Sequence, residues 1–330
     1  MITKSVFGNA IFSDKISVAL GNVQFPEGPT NLYQPIRYIL SLAGKRIRPQ
    51  LVLLGADLFG DTPIDEVVPA SVAIEYFHNF TLIHDDIMDK APLRRGQETV
   101  HQKWNDDIAI LSGDALLIKA YEQLAQCPAI VVPSLLKTFN KVALEVCEGQ
   151  QMDMDFETRE HVSKEEYVNM IRLKTSVLLG GALEMGAIIA GASNQERSKL
   201  YRFGENLGIA FQLQDDILDA FGDPATFGKQ IGGDIIVNKK TILHILLKQE
   251  LDVADFALFT TILEMPASKS ESKIQQMKEL YQKYAVLDKA NALKEAYTRR
   301  AYASLDEIEV ENRRKEDLFS LADHLMNRAR

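Results

Sequence analysis

The sequence predicts an all-α protein folded as a single large helical bundle, and three observations carry that expectation. Apolar residues recur at helical spacing over long stretches, strict two-residue alternation is nearly absent, and prolines are few and unevenly placed. None of the 11 prolines falls between Pro133 and Pro224 or after Pro266, and the proline-free stretches are rich in Ala, Leu, Glu, Lys and Gln, which favour helix. Helical patterns run over 33–42, 50–59, 64–89, 108–126, 131–156, 164–190, 194–221 and 239–249. The first of these follows the punctuated stretch Pro26-Glu27-Gly28-Pro29, a stop before a helix start. Towards the C-terminus, Arg313-Arg314-Lys315-Glu316-Asp317 lies between apolar Leu318, Leu321 and Leu325 at helical spacing, the pattern of amphipathic helices with a solvated face. Without strands to form a sheet, helices joined by short loops are the economical architecture. No clean domain boundary, low-complexity segment or true repeat is visible, so 1–330 reads as one domain.

The composition, 46% hydrophobic and 25% charged over 330 residues, excludes a disordered or fibrous chain. A formal charge of −9 argues against nucleic acid as a partner, so any acidic substrate must meet a local cluster of cations. Cys127 and Cys147 stand too far apart for a CxxC motif and read as two buried thiols in a reducing cytoplasm. The N-terminus carries Lys4, Asn9 and Asp14 without a continuous apolar run, unlike a signal peptide. The apolar stretch 175–192 is interrupted by Glu184, short and broken for a membrane span, and reads as a core helix.

Two acidic motifs share the spacing DDxxD: Asp85-Asp86-Ile87-Met88-Asp89 and Asp215-Asp216-Ile217-Leu218-Asp219, each within an apolar helical stretch. On a helix, positions i and i+4 lie about 40° apart and about 6 Å apart along the axis. Asp85 with Asp89, and Asp215 with Asp219, therefore form carboxylate pairs on one face. Two such pairs facing each other across a cleft would repel by several kcal/mol at an effective dielectric near 20, so a cation belongs between them. Mg²⁺ takes one or two carboxylates and completes its shell with substrate phosphates and water. A calcium loop is excluded because alternating oxygens and a central glycine are missing.

Compact cation groups accompany the motifs: Lys45, Arg46 and Arg48 in residues 44–49, Arg94-Arg95 directly after the first motif, Lys174-Thr175, Lys229 before Gly232-Gly233-Asp234, and Lys239-Lys240. Arg forks and Lys point charges grip phosphate oxygens. Of these, Arg46 and Lys240 fit equally well as surface partners of nearby carboxylates. His78, two turns before Asp85, looks toward the same face. Glu75-x-x-His78 and Glu98-x-x-His101 have the spacing of di-iron ligands in bundles, but Pro92 and Gly96 place the second in a loop.

Together, GKRIRP (44–49), HNFTLIHDDIMD (78–89), LRRG (93–96), KT (174–175), GIAFQLQDDILD (208–219), GK (228–229) and GGDIIVNKK (232–240) resemble the trans-isoprenyl diphosphate synthase family. The resemblance implies the isoprenoid synthase fold, helices around a deep central cavity, a homodimer, and three Mg²⁺ ions. It implies that Asp85, Asp89 and Asp215 hold metal with Asp219 acting through water, and that these aspartates with Lys174 and Lys229 support catalysis. Lys45, Arg48, His78 and Arg95 would bind isopentenyl diphosphate; Arg94, Lys174, Thr175, Gln212, Lys229 and Lys239 would bind the allylic diphosphate (dimethylallyl, geranyl or farnesyl).

Thr81 and Phe77 lie within about 80° of Asp85 at 100° per residue and should flank a tunnel for the growing tail, unless they are ordinary core. The resemblance adds Phe80, the fifth residue before the motif, and a product of twenty carbons, or of fifteen, made without the two-residue insertion of many bacterial farnesyl diphosphate synthases. Rival readings are a longer-chain polyprenyl diphosphate synthase, a terpene cyclase, and a noncatalytic helical subunit of a synthase.

Overall fold

The computed structural model describes residues 10–22, 25–223 and 231–327. Helices follow one another along most of them: α1 (Ala10–Asn22), α2 (Thr30–Ser41), α3 (Ile47–Asp57), α4 (Ile64–Met88), α5 (Val100–Lys103), α6 (Asp106–Leu124), α7 (Val132–Thr158), α8 (Lys164–Ile171), α9 (Val177–Ile189), α10 (Asn194–Phe221), α11 (Gly233–Ile236), α12 (Ile242–Glu250), α13 (Val253–Leu263), α14 (Ser270–Lys283), α15 (Val286–Asp306) and α16 (Asn312–Met326). The all-α expectation holds, with two local differences. Residues 93–98 form a hairpin, β1 (Leu93–Arg94) paired antiparallel with β2 (Gln97–Glu98). Arg95 and Gly96 make its turn at φ 55° and 75°, the left-handed pair that a two-residue hairpin loop needs. Strands of two residues are too short for alternation to reveal them. The helix expected over 164–190 is interrupted by a π-helical turn at Arg172–Ser176.

The chain divides into two compact units, each discontinuous in sequence: Met1–Ala143, Leu178–Tyr201 and Ile308–Leu321 form the first, and Leu144–Val177, Arg202–Glu307 and Ala322–Arg330 the second.

In the first unit α4 is central, packing along α6 and against α1, α2, α3 and α5. Val67, Ala70, Val72, Ala73, Ile74, Tyr76 and Phe77 are all buried. Consecutive burial, not one apolar stripe, marks a helix surrounded by others, and each large side chain there contributes about 1.5–3 kcal/mol. Arg314 ties α16 to the end of α3 through the Asp57 carbonyl at 2.9 Å and Asp61 at 3.0 Å.

In the second unit α12 packs on α8, α14 and α15 around Phe156, Tyr167, Leu213, Ile217, Leu243, Leu247, Phe259 and Tyr281. His244 sits in this unit at 7% exposure, edge-on to Phe259 with ring centroids 5.2 Å apart. Burial, with Lys240 and Lys248 adding, pushes its pKa down to about 4, below the value of about 6.5 of an unfolded chain. Between those values the unfolded state binds the extra proton, so stability is complete above pH 6.5 and is lost as pH falls toward 4. His244→Leu is expected to remove about 3 kcal/mol of this acid sensitivity. Parallel melting-temperature profiles for variant and wild type between pH 7 and 4.5 would refute it.

No described helix is long and apolar enough to cross a membrane; the stretch 175–192 forms the end of the π turn and α9, with Leu183, Met185 and Ala187 fully buried. Cys127 is buried as expected, its thiol pushed up to about 11 by burial. Cys147 is exposed, contrary to expectation, because α7 presents it on an outward face.

Candidate active site

The first motif closes α4, with Asp89 as its C-cap. A helix turns 100° per residue, so the second aspartate cannot share the face of the first and fifth. Asp86 is accordingly buried at 1% exposure and gripped by Arg94 of β1, whose Nε lies 2.9 and 2.8 Å from the two carboxylate oxygens and whose Nη2 lies 2.6 Å from Oδ1. Asp85 is half-buried and Asp89 exposed. Arg94 therefore fastens the hairpin to the motif.

A positive cluster shares this unit. Arg48 donates from Nη1 to Nε2 of His78 at 3.2 Å, and Arg48 Nε is buried without a partner among the described residues, an orphan donor suited to an anion. Burial, with Arg95 adding, lowers Arg48 to about 10. His78 is held well below its ordinary value by burial and by Arg48, Arg95, Arg94 and Arg46, so it stays neutral. Arg95 is likewise lowered, by burial and then Arg46. Cations that depress one another's ionisation form a site that an anion relaxes. Lys45 is exposed beside them.

Arg46 has a different task. It pairs with Glu75, which is 1% exposed, and donates from Nη2 to the carbonyls of Leu40 (2.5 Å) and Leu42 (3.2 Å). Glu75 also accepts from Asn79 Nδ2 at 2.9 Å. A carboxylate so engaged is not an iron ligand, and Arg46 is an interior strut, not a surface partner. Lys240 is likewise engaged by the backbone: its Nζ donates to the carbonyls of Phe156 (2.7 Å) and Glu157 (3.0 Å) at the end of α7.

Above the first motif, Phe77 is buried and Phe80 and Thr81 are half-buried. Phe77 packs at a tilt against Phe80 and edge-on to Phe139, with centroids 5.7 and 5.3 Å apart, and Thr81 Oγ1 donates back to the His78 carbonyl at 2.8 Å.

The second unit holds a cavity of about 210 Å³ lined by Asp153, Tyr167, Lys174, Thr175, Gln212, Asp215, Asp216, Asp219, Asp234 and Lys239 with Met170 and Ile171. The π turn puts Lys174 and Thr175 on its wall. A Cβ on Gly149 of α7 would lie 2.2 Å from the Lys174 nitrogen, so only glycine lets α7 approach the widened turn. One helical turn on from Gly149, Asp153 accepts from Lys174 Nζ at 2.6 Å and stands 3.6 Å from Lys239 Nζ. Burial raises the Asp153 carboxyl, but Lys239 and Lys174 outweigh it and hold it below the usual range. Asp153 thus spaces two cations side by side.

The second motif repeats the logic of the first. Asp216 is 4% exposed and accepts from the Tyr167 hydroxyl, from Gln212 Nε2 at 3.2 Å and from the Ile242 N–H at 3.4 Å. Burial nonetheless pushes its pKa up to about 7. Thr175 Oγ1 reaches Gln212 Oε1 at 3.4 Å, linking the π turn to the motif. Asp215 and Asp219 are half-buried on the cavity side, and Asp219 Oδ2 accepts the Asp234 N–H at 3.0 Å. Lys229 lies outside the described residues.

Sequence reasoning assigned no role to Asp153, Asp234 or Tyr167. Asp234 lies within the 232–240 motif, and the Gly149 to Asp153 spacing is a faint signal; nothing in the sequence marks Tyr167. Among the described residues no three His, Cys, Asp or Glu side chains converge to hold an ion by themselves. The donors are pairs of hard carboxylate oxygens beside clustered lysines and arginines, a set that fits Mg²⁺ sharing its shell with diphosphate.

A sequence profile described as polyprenyl synthetase matches residues 29–283. Geranylgeranyl diphosphate synthase of Methanosarcina mazei is 41% identical over 235 residues, 71% of this chain and 72% of that one. Geranylfarnesyl diphosphate synthase of Natronomonas pharaonis is 40% identical over 243 residues, covering 68% and 71%. A crystal structure of a geranylgeranyl pyrophosphate synthase superposes with a TM-score of 0.90 at 43% identity, each chain covered completely.

Proposed function

Because the chain belongs to the polyprenyl synthetase family, and so is a prenyltransferase of the isoprenyl diphosphate synthase kind, we propose that it condenses isopentenyl diphosphate with an allylic diphosphate to give geranylgeranyl diphosphate. The carrying observation is the cavity in which Lys174 and Lys239 share Asp153 beside Asp215 and Asp219. Ionisation of the allylic carbon–oxygen bond releases a diphosphate whose charge rises as the bond breaks, and preplaced cations stabilise that change most. Lys174, Lys239 and Thr175 take this leaving group, with Gln212 orienting Thr175, and the family resemblance assigns Arg94 to the same diphosphate. Arg48, Arg95 and Lys45 grip isopentenyl diphosphate, and neutral His78 donates a hydrogen bond without adding charge. Asp85, Asp89 and Asp215, with Asp219 through water, would hold three Mg²⁺ ions, which when bound supply further neutralisation of the leaving group. No side chain acts as nucleophile: the alkene attacks the cation and loss of a proton restores a double bond. Met170 and Ile171 supply the apolar part of the cavity wall, and exclusion of water protects the cation from quenching.

Phe77 and Phe80 form the floor of the tail tunnel in this reading. Phe80→Ala is expected to move the main product from twenty to twenty-five carbons; an unchanged chromatogram would remove the floor assignment. The chain acts as one domain and, in the cytoplasm, as a homodimer. Ile110, Leu111, Ile118 and Tyr121 of α6 are 37–62% exposed and fall within about 100° of arc on that helix, an apolar stripe for a second copy.

The test is to incubate the pure protein with Mg²⁺, isopentenyl diphosphate and each allylic diphosphate of five, ten and fifteen carbons, and weigh the products. Formation of a C20 diphosphate supports the reading; binding without turnover, or a cyclised hydrocarbon made without isopentenyl diphosphate, overturns it.

A further inference from the structure

We propose that His84 is a positioning residue for product length, seating Phe80 against α6 in a cradle that exists only because residue 113 is glycine. The inference rests on the reading of Phe80 as tunnel floor. His84 lies one helical turn after Phe80 on α4, and the two rings meet edge to face with centroids 4.7 Å apart. Its Nε2 is 3.2 Å from the Ile110 carbonyl and 3.8 Å from Asp114 Oδ1, so the ring lies across one turn of α6. A Cβ on Gly113 would fall 2.4 Å from Nε2 and 2.7 Å from Cδ2, inside any real contact. The imidazole therefore occupies the space a side chain at 113 would take.

Its edge engages α6 while it packs on Phe80, which packs on Phe77 and through it on Phe139. The aromatic row is thus held at both ends: Phe139 is 1% exposed and edge-on to Tyr121 of α6 at 5.1 Å, and His84 secures the end beside the first metal motif. An aromatic floor limits chain length only while it resists the growing tail. Phe80 is half-buried, and the ring of His84 packs against it.

The experiment measures the product distribution by mass spectrometry at equal consumption of isopentenyl diphosphate, for wild type, Phe80→Ala, His84→Ala, Gly113→Ala and the double variant His84→Ala/Gly113→Ala. His84→Ala is expected to raise the ratio of products longer than twenty carbons to C20 by about tenfold, the scale of one methylene of discrimination. Gly113→Ala displaces the ring and lowers the C20 share. In the His84→Ala background the added methyl meets no ring, so the double variant should match His84→Ala alone, a non-additivity that a general loss of packing would not produce. If Phe80→Ala changes length while His84→Ala stays at C20, or if Gly113→Ala has the same effect in both backgrounds, the inference is wrong although the floor reading stands. If Phe80→Ala leaves the distribution unchanged, the floor reading and the inference fall together. Should Gly113→Ala not fold, His84→Ala against Phe80→Ala still decides the matter.

Discussion

Asp85→Ala and Asp215→Ala are each expected to lower turnover about a thousandfold or more, with helical circular dichroism unchanged. Neither carboxylate carries the fold: each lies half-buried at the open face of its motif, while the buried second aspartates, Asp86 and Asp216, make the structural bonds to Arg94 and Tyr167. Removing one preorganised electrostatic partner of a developing charge typically costs about 10²–10³ in rate, and losing a metal ligand weakens the charge neutralisation further. The magnesium concentration for half-maximal rate should rise in parallel. Wild-type rates in either variant would eliminate the metal assignment. Asp86→Ala makes the contrast, since it should lower the melting temperature as well as activity by freeing Arg94 inside the unit.

Arg46→Met is expected to produce the largest loss of stability, about 3–5 kcal/mol, the cost of leaving a buried carboxylate unpaired. Glu75 is 2% exposed at its side chain and Arg46 16%, so solvent screens the pair little. The melting temperature should fall by roughly 5 °C. Converting both partners, Arg46→Met with Glu75→Leu, should recover most of the loss, because an apolar pair leaves no charge behind. A single variant that melts like wild type, or a double variant no better than the single one, would show that the strut is not what holds α3 to α4.

Much of the site was legible because charge in an apolar helix has no packing reason to be there. Both DDxxD motifs stand out on that ground, and the resemblance sorted the arginines after the first, His78 and the KT pair into roles. What remained hidden depends on neighbours distant in sequence. Tyr167 is an ordinary helix tyrosine until Asp216, 49 positions on, receives its hydroxyl. Asp153 is one more acidic residue of α7 until the π turn delivers Lys174 to it. Arg46 and Arg48 differ by two positions and look equivalent, yet one is spent on Glu75 and the other has a buried donor free of partners among the described residues.

The sequence by itself determined the helical class, the bounds of the eight helical stretches it marked between 33 and 249 to within about a turn, and the chemistry of paired carboxylates with clustered cations, because spacing and side-chain type are properties of the chain alone. Only tertiary structure decided which aspartate of each motif turns inward, where helix 164–190 widens into a π turn, and which cations are structural. Those outcomes follow from close approach: a glycine at 149 or 113 admits a backbone or a ring that any other residue would exclude, and a buried carboxylate takes whichever donor the packing brings to it.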